Sequence, residues 1–250
     1  MSIGKRVYGL GAITLGVVGI VFPSFAVGQE LPPTVPAHDL LIYASAAILI
    51  LGGLALNLPR TAAVGAGVLA GYLTFWAVVL NGPHLIAHPL EFVSYESIGE
   101  IVAMAAGGFV AYALSVGSDR SAGLARPNLA RGARLVFGLC LLIFGGAHFA
   151  YAKFTATFVP AWLPPSQMFW VYATGLAQIA AGLAVLSGIQ ARLAAILLTV
   201  MYAIFGLFVH VPHMLAEPHT AGHWAEFCVN LALMGAAWTV ADSLEHKTPA

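Results

Sequence analysis

Eight apolar runs of roughly 17–22 residues, long enough to be helical membrane spans, leave this chain essentially one way to fold. They lie near 6–27, 39–57, 61–80, 98–117, 134–152, 168–187, 191–209 and 224–241. At about 1.5 Å per residue, a helix of that length crosses a ~30 Å hydrocarbon layer. Inside hydrocarbon every backbone N–H and C=O needs a partner, and a helix supplies them within one segment. A β-barrel would need many short alternating segments, and the sequence has none. Charged residues make up only 8% of the chain and hydrophobic residues 60%, with a mean hydropathy of +0.90. A soluble domain carries about 25% charge. The expectation is an all-α polytopic membrane protein with eight transmembrane helices.

The net charge of zero is uninformative, but the placement of charge is not. Lys5, Arg6, Arg60, Arg120, Arg126, Arg131, Arg134, Arg192 and Lys247 fall at the termini or in alternate loops, and only Lys153 falls on the other side. Lys/Arg bias sets orientation, so the pattern predicts a bacterial-type inner (plasma) membrane protein with both termini cytoplasmic. The outer side then carries Glu30, Asp39, Glu91, Glu96, Glu100, Glu217, Glu226 and every histidine except His246. Lys5-Arg6 and the apolar run ending at Phe25-Ala-Val-Gly28 resemble a secretory leader. The internal repeat argues that this segment is retained. Cys140 and Cys228 sit alone in different spans and read as small buried hydrophobes, not a redox pair. No basic face supports nucleic-acid binding, and no phosphate loop or haem motif is present.

The chain repeats at an interval of 129. Tyr8-Gly9-Leu10 falls on Phe137-Gly138-Leu139, Gly16 on Gly145, Tyr43-Ala44 on Tyr172-Ala173, and Gly53-Leu54-Ala55 on Gly182-Leu183-Ala184. Asn81, Pro83, His84 and Pro89 fall on His210, Pro212, His213 and Pro218. In the fourth span an interval of 126 would place Glu100 on Glu226, with a three-residue difference in the preceding loop. The pattern predicts two tandem four-helix units, 1–117 and 134–250, joined by a basic cytoplasmic linker over 118–133. With an even number of spans per unit, both copies face the same way about a pseudo-twofold axis along the membrane normal. Gly67 and Gly71 have the spacing of a close helix contact.

The polar residues gather in one segment, from Val209 to Asn230. His219, His223 and Glu226 would share one face if the last helix began at His219, and with His213 they form a candidate transition-metal site. The bland reading, that these histidines sit at the membrane–water interface beside nearby glutamates, carries more weight. His84 and His88 repeat the i, i+4 spacing, but Pro89 interrupts a continuing helix. Glu100 and Glu226 enter apolar spans, where an ionisable side chain is by default a functional candidate. Asn230 lies one turn beyond Glu226. Gln178 falls near the middle of its span and His148 near the outer end of its own. The favoured reading of Gln178 is a hydrogen bond to a neighbouring helix. In the sharper one, it and His148, together with His84, His210, His213, Glu100, Glu226 and Asn230, would bound a cavity open to the outer side, able to take a quinone head group or small substrate. Trp162, Trp170, Tyr172 and Trp224 fit an interfacial belt.

The second copy carries a family resemblance. Gly145-Gly146, His148-Phe149, Phe158-Val-Pro-Ala-Trp-Leu-Pro164 and Trp170-x-Tyr-x-Thr-Gly175-x-x-Gln178-Ile-x-x-Gly182 resemble the DoxX-like family of small four-helix membrane proteins. The resemblance covers about Arg134 to Ala241 and reaches the first half through the repeat. It departs from the family pattern at Gln178, where a Glu is usual, which weighs against proton handling at that position. Some relatives are membrane subunits of thiosulfate:quinone oxidoreductases. The resemblance therefore implies a redox-associated membrane subunit, with quinone as the expected cofactor and a membrane or outer-side redox subunit as the expected partner. The alternatives are a non-enzymatic metal-binding or transport protein using His213, His219, His223 and Glu226, and an assembly partner whose outer loops are a docking surface.

Overall fold

A computed structural model describes residues 2–24, 30–116 and 125–245, the last stretch with side chains from Pro127 onward. Phe25–Gly28, Arg120, His246 and Lys247 lie outside those residues. The described chain is helical, and eight helices are long and apolar enough to cross a membrane. They are α1 (Ile3–Val21), α2 (His38–Asn57), α3 (Ala62–Ala87), α4 (Phe92–Ser115), α5 (Ala125–Ala150), α6 (Gln167–Ser187), α7 (Ala191–Ala216) and α8 (Ala221–Ser243). Leu51, Val64, Val78, Leu176, Leu183 and Leu207 point outward from the bundle and are largely exposed. In water such a surface would be an aggregation hazard; in hydrocarbon it is the expected exterior.

Several helices run past their apolar segments. α3 and α7 continue to Ala87 and Ala216, beyond the ends expected at 80 and 209. Each passes through a π-helical turn, Ala77–Asn81 and Gly206–His210, closed by five-residue bonds from Gly82 N–H to Ala77 O and from Val211 N–H to Gly206 O. Pro83 and Pro212 follow directly. A proline ring clashes with the carbonyl four residues back, and a widened turn gives that ring room without ending the helix. α5 starts at Ala125, so the described part of the expected 118–133 linker is already helix.

The eight helices form a closed ring in chain order, with α8 returning to α1, and α4 and α8 also meet across the ring. The first helix of each half packs on the last helix of the other half: α1 on α8, and α5 on α4. Tyr8 is the pin. Its ring is 1% exposed, its hydroxyl donates to Met104 O at 2.7 Å, and its backbone lies against Gly235 of α8.

Element starts recur at 129: His38 and Gln167, Ala62 and Ala191, Ala77 and Gly206, Phe92 and Ala221. Contacts recur too, with Gly53 beside Gly9 O and Gly182 beside Gly138 O. Tyr95 Oη donates to Pro89 O at 3.0 Å, and Trp224 Nε1 donates to Pro218 O at 3.0 Å. These matched bonds keep the interval at 129 in α4 and α8. The three-residue loop difference is therefore absent, and Glu100 and Glu226 do not occupy matching places. The position 129 after Glu100 is Val229, and the position 129 before Glu226 is Ser97.

Only one half of the Gly67/Gly71 spacing meets another helix: a Cβ at Gly67 would stand 3.4 Å from the Tyr112 ring of α4. A Cβ at Gly71 would meet nothing within 4 Å. Alanine is the better helix former by up to about 1 kcal/mol, so Gly71→Ala should raise the unfolding midpoint by about 2 °C. A fall in the midpoint, followed by tryptophan fluorescence in detergent, would show that another helix does approach there.

Candidate functional site

The polar residues converge where α4, α5, α7 and α8 meet, at the end of the bundle bearing the two His–Pro turns. Tyr202, Gly206, His210 and His213 follow one another at spacings of four, four and three on α7, which places them along one face. Asn230 of α8 donates from Nδ2 to Tyr202 O at 2.9 Å, just before the π-turn. The approach depends on Gly206, where a Cβ would stand 3.1 Å from Asn230 Nδ2. The side chain thus partners a backbone carbonyl at the loosened turn, deep in an apolar segment where water is scarce.

Near the end of the bundle, the His213 and His223 rings lie 5.4 Å apart, and Phe158 packs 5.3 Å from His213. His223 Nε2 lies 3.4 Å from Glu217 Oε2, and His223 Nδ1 lies 3.7 Å from Glu226 Oε2. His210 stands within electrostatic reach of His213 and His223. Glu226 is exposed, about 8 Å along α8 from Ala221. Glu100 is half-buried, about 12 Å along α4 from Phe92, and within electrostatic reach of Glu96, Glu226 and Tyr202. The carboxylates therefore descend from the end of the bundle toward its middle.

His148 and Tyr202 flank the ring of Phe205. His148 Nδ1 lies 2.9 Å from Phe144 O. A carbonyl can only accept, so Nδ1 carries a proton, and in the neutral ring Nε2 presents a lone pair. The His148 ring stacks on Phe205, with centroids 6.5 Å apart and an interplanar angle of 23°. Tyr202 is 4% exposed, and among the described residues its hydroxyl has no hydrogen-bond partner. Gln178, 2% exposed, lies one turn from Gly175, whose added Cβ would stand 2.7 Å from His148 Cβ; Gln178 Oε1 is likewise unpartnered.

Two expectations change. His219 is exposed and lies before the helix, because Thr220 is extended (φ −89°, ψ 106°) and α8 begins at Ala221. The His219–His223–Glu226 face is therefore not formed. Among the described residues no group of three or more His, Cys, Asp or Glu is arranged to hold a metal ion. His84 belongs to the other His–Pro turn, where its ring lies 4.8 Å from His88, and His88 Nδ1 reaches Glu91 Oε1 at 3.2 Å. Tyr202 was not singled out from the sequence. Its place at the head of the 202, 206, 210, 213 face is the pattern that marks it.

A large cleft lies elsewhere. It measures about 720 Å³, between α3, α4 and α5, and is lined almost wholly by apolar side chains. Its α4 walls include Ile98, Val102, Ala105 and Phe109, whereas Glu96 and Glu100 fall on the opposite side of that helix at 100° per residue. The polar site and the cleft are therefore separated by α4. Cys140 and Cys228 are both free and buried.

A family model described as Domain of unknown function (DUF8561) matches residues 137–241, which run from α5 to α8 and contain every polar site residue except Glu96 and Glu100. No curated protein and no solved structure matches the chain.

Proposed function

We propose that this is a multi-pass protein of a bacterial-type inner membrane, with both termini cytoplasmic, whose polar site binds a quinone head group or a small substrate of like polarity. The orientation rests on the Lys/Arg distribution. The recurring element starts support two fused four-helix units. The redox setting and the partner subunit rest on the DoxX-like resemblance.

The observation that carries the head-group reading is the Tyr202 hydroxyl, which is buried and unpartnered. A buried hydroxyl left without a partner costs about 1–3 kcal/mol, so a carbonyl-bearing ligand that accepts from it recovers that loss. The chain's own groups fit such a ligand. Tyr202 Oη donates to a carbonyl oxygen, and the His148 Nε2 lone pair accepts from a hydroxyl. Glu100, His210, His223 and Glu226 supply proton-carrying groups between the middle of the bundle and its histidine end. A bound quinone would supply two-electron, two-proton chemistry, with electrons from a partner subunit. The metal alternative has no comparable observation, since His219 stands apart from the helix.

The test is solvent extraction of quinone from tag-free protein in mild detergent, followed by titration with decylubiquinone and a short-chain menaquinone, read by tryptophan fluorescence. Saturable quenching is expected, weakened about tenfold in Tyr202→Phe by loss of one hydrogen bond of about 1.4 kcal/mol. No retained quinone and no saturable binding would sink the reading. Stoichiometric metal in the same sample would transfer support to the alternative.

A further inference from the structure

The polar site has a counterpart in the first half, with different chemistry. The positions 129 before His210, His213, His223 and Glu226 are Asn81, His84, Ser94 and Ser97. Only the histidine directly after the proline is kept, and the other ionisable side chains are replaced by uncharged ones. Asn81 and Ser94 are each 1% exposed, and among the described residues neither Asn81 Oδ1 nor Ser94 Oγ has a hydrogen-bond partner.

Helical spacing brings the two side chains to one seam. Asn81 shares a face of α3 with Ala77, Thr74 and Ala70, and Ser94 shares a face of α4 with Ile98, Ile101, Ala105 and Gly108. The two faces meet at Gly108, where an added Cβ would stand 3.1 Å from Ala70 Cβ. Counting outward from that contact along the antiparallel helices sets Asn81 opposite Ser97, with Ser94 one turn beyond, about 4.5 Å. In the second half the matching pair, His210 and His223, stand within electrostatic reach of each other. Neither Asn81 nor Ser94 lines the apolar cleft.

The local backbone explains why both atoms lack a partner. Asn81 Nδ2 donates to Trp76 O at 3.4 Å across the π-turn, which leaves Oδ1 as an acceptor. Thr14, Thr74 and Ser115 satisfy their hydroxyls on the carbonyl four residues back. Ser94 lies in the first turn of α4, where that residue is outside the helix. Pro83 has no N–H to give, so the turn before it also offers a carbonyl without its helical donor. A bound water makes about three hydrogen bonds to buried groups of this kind. A divalent cation takes about six oxygens or more, carboxylates among them, and neutral Asn81 and Ser94 do not supply such a set.

We propose that an ordered water bridges Asn81 Oδ1 and Ser94 Oγ and fixes α3 to α4, at the place where the second half uses imidazoles. The first-half copy is then a lock with no titrating group at these two positions. The proposal rests on the packing of the first half and not on the quinone reading.

The test is a double-mutant cycle on the full chain in mild detergent: Ser94→Ala, Asn81→Leu and both together. Unfolding midpoints and quinone-analogue titrations are recorded on the same samples, and the midpoints are read whether or not the analogue binds. Ser94→Ala should lower the midpoint by about 2–4 °C, because the water loses one partner and Asn81 Oδ1 loses the water. The double variant should fall no further than the worse single one, since either change removes the bridge. A hydroxyl with no partner of any kind gives the opposite sign, because deleting it relieves a buried orphan donor. An unchanged or raised midpoint in Ser94→Ala would therefore overturn the proposal, as would additive losses. A midpoint raised by sodium chloride over choline chloride at equal ionic strength, in the parent but not in Ser94→Ala, would give the site to a cation and overturn it equally. If Asn81→Leu does not fold, Asn81→Ala completes the cycle. Analogue affinity should be the same in all variants, and a tenfold loss would end the assignment of a purely structural role.

Discussion

Gly235→Leu should yield no recoverable folded protein, and Gly235→Ala should already lower the unfolding midpoint. An added Cβ at Gly235 would overlap the Tyr8 backbone and stand 2.8 Å from Tyr8 Cβ. Backbone cannot rotate away as a flexible side-chain end can, so relief requires moving α1 off α8. That movement would also break the Tyr8 bond to Met104 O and open the ring of helices where its ends meet. Overpacking in a close-packed interior costs about 1–3 kcal/mol for a modest excess, and the leucine side chain adds four carbons where none fits. For a chain of this size, each kcal/mol lowers the midpoint by about 2–4 °C. Gly222→Ala in the same helix is the control, because its Cβ would meet nothing within 4 Å. The check is size-exclusion chromatography and a fluorescence melt of all three variants in one detergent. A monodisperse Gly235→Leu peak with the parent's midpoint would mean that α1 and α8 do not pack as described.

The same contact shows how far the sequence could be read. Length and hydropathy marked all eight helices, because hydrocarbon leaves a spanning segment no other way to pair its backbone. They misplaced the ends of α3, α5 and α7, because hydropathy reports where a segment is apolar and not where its hydrogen bonding stops. The helix past Pro83 and Pro212 needed the π-turns, which no composition count reveals. Gly-xxx-Gly spacing pointed to Gly71, which faces open space, and missed Gly235, whose partner is a tyrosine from the far end of the chain. The neighbourhood of the polar residues was legible, and their arrangement was in part not. His210, His213, His223 and Glu226 do gather, but an extended Thr220 separates His219 from them. Tyr202 carries the strongest chemical implication and was overlooked, since a tyrosine in an apolar helix stands out only once its hydroxyl is seen to lack a partner.

Glu100→Gln should weaken quinone-analogue binding far more than Glu226→Gln does. Equivalence of the two glutamates would predict equal effects. The interval of 129 instead puts Glu226 at the end of the bundle, exposed to water, and Glu100 deeper, half-buried and within electrostatic reach of Tyr202. An exposed carboxylate near an imidazole is worth about 0–1 kcal/mol, because water and salt screen it. Losing a hydrogen-bond partner out of water costs about 1–3 kcal/mol, so its loss at Glu100 weakens binding about 5- to 150-fold. Glutamine is nearly isosteric with glutamate and brings no charge to that depth, where a charge is costly. Glu100→Gln should therefore leave the unfolding midpoint unchanged or raised while binding falls. A structural carboxylate would give the opposite pattern, with stability lost and residual binding intact in the folded fraction. Both variants are titrated beside Tyr202→Phe, with midpoints recorded on the same samples. Equal losses at Glu100 and Glu226 would remove depth from the account and place the ligand at the end of the bundle, among His213, Glu217 and His223.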